Sequence, residues 1–282
     1  MARRREKSPA SPTALLPPCP GPKLHPFQPQ NASIKWGPRL DKREEDDGSQ
    51  GFVFQVEIAS RPYAIKVFKF YHPRGESYYW KHYLGKSCPL KTVLFYTDPF
   101  YAECRAYGRI KEAREKRQFR TRIATRCHGY VLLTPEDMNL LERREGIDLC
   151  TDVIDKDLRR ALGGDVRARA IVKDLEIGNT GLSKSNIQQA WRNVSLLNSL
   201  GIYNRDVRAD NFMNCRIVDF GSSWTEPHLL LDKVDAVEAR EQRLSDCAQF
   251  DEMTEREGIE TTLKTPTSRH NLRPRKKSEW IS

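Results

Sequence analysis

Four short stretches of this 282-residue chain carry residue types suited to handling phosphate groups, and they follow one another in a fixed order. Gly48-Ser49-Gln50-Gly51-Phe52-Val53 leads into a strand-like run. Glycines, lacking a Cβ, let backbone N–H groups come close to phosphate oxygens, although an ordinary hairpin turn would read the same way. Lys66 ends the apolar run Tyr63-Ala64-Ile65. At a strand end inside a cleft its ammonium would be a point charge for the α- and β-phosphates of ATP; on an outer strand face it would simply be solvated. Asp206 and Asn211 stand five positions apart in Asn204-Arg205-Asp206-Val207-Arg208-Ala209-Asp210-Asn211. A carboxylate there could orient an attacking hydroxyl, and the amide could ligate magnesium. Asp219, in Asp219-Phe220-Gly221, offers a second hard oxygen ligand at a strand end. Each stretch alone is compatible with a capped turn. All four in this order predict a site for ATP and Mg2+, with in-line transfer of the γ-phosphate to a hydroxyl as the matching chemistry.

The elements that must position these groups are partly visible. Phe52–Ile58 and Tyr63–Phe70 alternate and are rich in β-branched and aromatic residues, which predicts a hairpin with its turn around Arg61 and Pro62. Residues 71–97 read as an irregular, aromatic-rich insertion among lysines and arginines. Asp98-Pro99 predicts an N-cap followed by proline at the first helical position, with a helix carrying Phe100, Cys104, Tyr107 and Ile110 on one stripe. Gly129–Leu133 and Ala168–Val172 are strand candidates, and the charged piece between them gives no functional reading. Ser183 is the expected cap of the clearest helix, with Ile187, Ala190, Val194 and Leu197 at helical spacing and Gly201 as its stop. Two small strands around Met213 and Ile217 follow, then a polar, helix-compatible stretch at 227–258. Strands with one helix come first and a mostly helical half follows, so the expected class is α+β with two lobes.

Charge and composition exclude several classes. The formal net charge is +10. Residues 1–35 and 264–282 each carry a net of +5, so residues 36–263 sum to zero. A nucleic-acid-binding core is therefore not indicated, and only the tails offer a handle for weak DNA or chromatin contact. The first 33 residues hold eight of the 17 prolines and are expected, like 264–282, to form a disordered basic tail. No run has the length and apolarity of a membrane span or a signal peptide. Seven scattered cysteines without a CxxC pair argue against a disulfide framework or structural zinc and fit a reducing, intracellular compartment. Arg273-Pro274-Arg275-Lys276-Lys277 has the composition of a nuclear import signal, or of a solvated basic terminus.

From about residue 46 to 224 the chain resembles protein kinases. Tyr63–Phe70, Asp98–Arg109 and Asp219–His228 are similar, more specifically, to a fungal family, the Fta-two subunits of the Sim-four kinetochore complex. The resemblance implies a two-lobed protein-kinase-like domain at 34–263, with a small lobe at 34–175 and a truncated large lobe at 176–263. It implies Gly48, Gly51, Val53 and Ala64 around the nucleotide, Lys66 on its phosphates and Glu103 paired with Lys66. Asp206 would be the catalytic aspartate, Arg208 its charged neighbour, Asn211 and Asp219 the magnesium ligands. Tyr107 would join the hydrophobic spine between the lobes, and Ile171–Glu176 would lead to the adenine-binding hinge.

The departures from the kinase pattern are specific. Asp46 replaces the first loop glycine, Asn204 replaces the histidine before Arg-Asp, and Arg208 replaces a lysine. Asn211 and Asp219 are eight positions apart, which requires a very tight hairpin. Only 61 residues follow Gly221 and no Ala-Pro-Glu occurs among them. Three readings result: a nucleus-resident, kinetochore-type assembly module that keeps ATP·Mg2+ binding (a pseudokinase), an active reduced-size phosphotransferase with Asp206 orienting the acceptor, and a protein that touches DNA through its tails.

Overall fold

The computed structural model describes residues 16, 19–29, 32–41, 49–74, 80–263 and 265. Asp46, Gly48, the import-signal-like 273–277 and most of both expected tails lie outside the described residues.

Five strands form one antiparallel sheet in the order β1-β2-β3-β5-β4: β1 Ile34–Arg39, β2 Gly51–Ile58, β3 Arg61–Phe68, β4 Cys127–Leu132 and β5 Arg169–Asp174. The β2–β3 turn is Ala59-Ser60, both with positive φ, rather than the expected Arg61-Pro62. Two left-handed residues give the turn a twist that matches the strands, so Arg61 and Pro62 already pair with Ile58 and Glu57. Strand alternation then separates two cores. Phe52, Phe54, Val56, Ile65 and Val67 pack with Leu141 and Leu149 on one side. Lys66 and Phe68 point to the other, where Phe100, Cys104 and Tyr107 of the long helix lie.

That helix, α3, spans Pro99–Glu115 and is capped by Asp98, which accepts from the Phe100 N–H at 2.9 Å. Asp98 is also buried against Arg169 of β5 at 2.9 Å, so the cap is bolted to the sheet. The stretch before it departs from expectation. Residues 71–97 contain α1 Lys81–Leu84 and α2 Leu90–Thr97, and Val93, Leu94, Phe95 and Tyr96 are all buried. A short helix buried on several sides has no polar face, so its sequence shows no helical period. The charged segment 134–167 also folds: Thr134 and Asp137 close a capping box on α4 Pro135–Glu145, and Asp155 caps α5 Lys156–Ala161.

The second half holds α6 Ile187–Ser199, α7 Leu229–Lys233 and α8 Ala236–Arg256. The two-residue strands β7 Phe212–Met213 and β8 Arg216–Ile217 form a hairpin, and β6 Ile202–Tyr203 pairs antiparallel with the distant β9 Trp224–Thr225. Ser183 does not cap α6. Its carbonyl accepts from Asn186 and Ile187 in a preceding turn, its hydroxyl bonds Ser185, and Asn186 takes the cap position. Gly201 ends the helix with φ +72° as expected. None of the helices among the described residues is long and apolar enough to cross a membrane.

The expectation of disorder through residue 33 is wrong for residues 19–29. Phe27 N–H donates to the Tyr130 carbonyl at 2.8 Å, Tyr130 N–H donates to the His25 carbonyl at 3.2 Å, and Leu24 and Phe27 are buried. Prolines do not forbid pairing at a sheet edge, where β4 offers free groups, and two apolar side chains add burial. Thr265, assigned to the other tail, is buried as well and donates to Asp251.

Candidate active site

Three of the expected residues meet between the sheet and the helical half. Lys66 Nζ lies 2.8 Å from Glu103 Oε1 and 2.7 Å from Asp219 Oδ1. Lys66 reaches them because its strand position faces α3, and Glu103 sits one turn into that helix, fully buried. Burial alone would lower the Lys66 ammonium, but the Asp219 and Glu103 carboxylates outweigh it and hold it above the ordinary lysine range. Burial would raise the Asp219 carboxyl; Lys66 and then Lys173 outweigh it and hold it far below the usual carboxylate range.

Lys173 is a member of this network that the spacing of motifs did not reveal. From β5 its Nζ lies 2.9 Å from Glu103 Oε2 and donates to the Val218 carbonyl at 2.7 Å. Its signal was a lysine directly after the apolar run Ala170-Ile171-Val172, at a position of β5 that is buried although lysines are rarely so. Two ammonium groups and two carboxylates thus cancel in one buried cluster.

The Asp219 turn is set by the elements around it. Gly221 N–H donates to Asp219 Oδ1 at 2.8 Å, and Phe220 packs edge-on against Tyr107 with ring centroids 5.1 Å apart. Tyr107 therefore links α3 to this turn. Asn204, in the place of a histidine, donates to the Asp219 carbonyl at 2.7 Å and accepts from the Asp206 N–H at 3.2 Å, so the substitution keeps the two loops joined. The expected tight hairpin between Asn211 and Asp219 is made by Asn214 and Cys215, both with positive φ.

Asp206 and Asn211 are brought together: the Asn211 amide donates to the Asp206 carboxylate at 2.9 Å and to its carbonyl at 2.8 Å. Asp206 stays 37% exposed, and Arg208 Nε lies 3.5 Å from it. The loop carrying Asp206 hangs on α8, in the stretch without a sequence-based reading. Buried Asp246 accepts from the backbone N–H groups of Asn204 and Arg205 at 2.8 and 2.7 Å, and Gln249 accepts from Val207 N–H at 2.9 Å. A detectable sign was an aspartate beside Cys247 and one turn before Phe250, on the stripe that α8 buries.

The glycine-rich stretch behaves differently from the rest. Gly51 lies in β2, where a Cβ would stand 2.2 Å from the Val67 carbonyl, so strand packing by itself demands glycine there. Val53 and Ala64 are half-buried on the face that carries Lys66. Gln50 crosses to the Asp219 turn: its amide donates to Ser222 Oγ at 3.1 Å, and its carbonyl oxygen occupies the space a Cβ on Gly221 would need.

The donor set suits a hard cation. Asn211 spends its amide N–H groups on Asp206, which leaves its side-chain oxygen as an acceptor, and Asp219 offers a carboxylate in the turn that follows the β7–β8 hairpin. Among the described residues no group of three or more His, Cys, Asp or Glu could hold a metal by itself. Two oxygen ligands completed by phosphate oxygens and water are the pattern magnesium takes with nucleotides.

Residues 12–224 match the family model described as kinetochore Sim4 complex subunit FTA2. A search of curated proteins returned no match. Among solved structures the chain is similar to vaccinia related kinase 3, with 12% sequence identity and a TM-score of 0.36 over 75% of this chain. The chain spans about half, 54%, of that protein's length. The kinase-like fold itself stands on the strand order and on the Lys66–Glu103–Asp219 geometry.

Proposed function

The chain belongs to the FTA2 family of kinetochore Sim4 complex subunits, and from that premise we propose that its kinase-like domain is an assembly module of that complex whose lobe junction holds ATP with Mg2+. Its place of work would then be the nuclear kinetochore. The observation that supports nucleotide binding is the buried Lys66–Glu103–Lys173–Asp219 cluster. Buried ion pairs rarely add stability over apolar residues of similar volume, so a module that needed only its shape would gain little from four charges here. A cluster that ends on partly exposed Asp219 is useful when phosphates and a cation arrive.

In this reading Lys66 contacts the nucleotide phosphates, Glu103 fixes Lys66 and is itself held by Lys173, and Asn211 and Asp219 hold the metal. The bound cation would supply charge neutralisation at the γ-phosphate. A second reading, phosphoryl transfer to a hydroxyl, draws support from Asp206, which is exposed enough to meet an acceptor and is oriented by Asn211. Its neighbour Arg208 would then add positive charge near the transferred group. The basic ends of the sequence would add a weak DNA contact; binding of a duplex that does not weaken as salt rises would remove that idea.

Thermal shift with ATP, with and without Mg2+, tests the nucleotide site. A ligand at a hundredfold excess over Kd stabilises the folded state by about 2.7 kcal/mol. The expected result is a shift that Mg2+ increases and Asp219→Ala abolishes. No shift at saturating nucleotide would overturn nucleotide binding and leave the assembly role standing. Asp206→Ala should keep the shift and remove any phosphate release, whereas equal losses in both variants would break the division of roles.

A further inference from the structure

A cavity of about 320 Å3 lies between the last turns of α3, the loop that follows it and the start of β4, with Leu24 and His25 in its wall. None of Lys66, Asp206, Asn211 or Asp219 lines it. We propose that this cavity docks an acidic linear segment of another protein chain through one apolar side chain.

Its charge is concentrated. From Lys111 to Arg126 there are seven basic and two acidic residues, a net of +5, although residues 36–263 sum to zero. Lys111, Arg114 and Arg126 line the cavity and are exposed, and none of them has a carboxylate partner among the described residues. Arg122 reaches Asp174 only at 3.8 Å, and that carboxylate is also held by His128 at 2.6 Å. Cations gathered around a concavity repel one another, and an anionic occupant relieves the repulsion while its own approach is steered.

The lining decides which anion fits. Leu24, Tyr107, Ile110 and Ile123 are buried apolar residues of the wall, and Phe119 is half-buried beside them. An apolar pocket whose rim carries Lys111, Arg114, Arg122 and Arg126 against the single carboxylate of Glu115 suits a side chain such as leucine, set between carboxylates that reach Lys111, Arg114 and Arg126. Aliphatic or aromatic anchors of this kind carry much of the energy of small interfaces. A nucleic-acid duplex has phosphates for the rim but nothing apolar to insert into the pocket. The family's place in a multi-subunit complex supplies the setting in which such a segment would occur.

The test is fluorescence anisotropy on the full chain. The probe is a short labelled peptide with one central leucine flanked on both sides by glutamates. It should bind in a salt-sensitive manner. Exchanging the leucine for serine, or using the double variant Arg114→Glu/Arg126→Glu, should each weaken binding at least roughly tenfold. Both arginines are exposed, so the variant should keep the wild-type melting temperature. Attraction by the basic ends of the sequence is the same in both proteins. Equal affinity of wild type and variant, or of the leucine and serine peptides, would therefore overturn the proposal. A duplex oligonucleotide that competes better than the leucine peptide, and loses its advantage in the variant, would overturn it in favour of nucleic acid.

Discussion

Lys173 Nζ and Glu103 Oε2 are 2.9 Å apart, both almost fully buried, so the carboxylate that holds Lys66 is shared with a second ammonium from the neighbouring strand. The local charge is therefore balanced before any cation enters.

Replacing Lys173 by methionine keeps most of the volume and removes one charge. The variant leaves an excess carboxylate in a buried cluster and should lose about 3 kcal/mol in chemical denaturation. Because a cation then replaces the missing charge, the Mg2+-dependent part of the ATP thermal shift should be larger in Lys173→Met than in the wild type. An unchanged Mg2+ dependence would show that Lys173 has no electrostatic hold on the site.

The Lys66–Asp219 pair makes a pH prediction with a definite sign. The Asp219 carboxyl is held below its unfolded value by Lys66 and Lys173, against the opposing effect of burial. Its contribution is present above an unfolded pKa of about 3.9 and is lost as pH falls through the folded value. The Lys66 ammonium is raised by the two carboxylates, again against burial. Its contribution is present below about 10.4 and is lost as pH rises through the folded value. The stability difference between wild type and Asp219→Asn should be flat across neutral pH and shrink below about pH 4. A difference that persists unchanged into acid would mean the ion pair does not account for it.

Gly108 tests how the N-terminal segment is seated. In the middle of a helix, glycine to alanine normally stabilises by about 1 kcal/mol. Here a Cβ on Gly108 would lie 2.8 Å from the Lys23 backbone, in the segment that crosses α3. Gly108→Ala should instead destabilise by about 1–3 kcal/mol, the usual cost of overpacking, and speed tryptic cleavage after Lys23. A stabilised, equally resistant variant would mean that residues 19–29 are not held against α3.

Local chemistry made part of this protein readable without coordinates. The alternation through β2 and β3, the Asp98-Pro99 start of α3 and the stripe of α6 are short-range patterns, and the structure has each of them. The candidate residues Asp206, Asn211 and Asp219 stand out in the sequence by type and spacing, while the loop that presents Asp206 depends on α8. What the tertiary structure alone decided is where distant residues meet. Lys66 finds Glu103 across 37 positions, Lys173 joins them from another strand, and Asp246 holds the Asp206 loop from 41 and 42 positions away. The buried α2 and the seated residues 19–29 escaped for a related reason. A segment covered on several sides shows no period, and a proline-rich one becomes ordered only because the edge of β4 and the small Gly108 and Gly129 leave room for its backbone. Sequence spacing carries the shape of single elements; burial, and the partners that make a buried charge tolerable, exist only once the chain has packed.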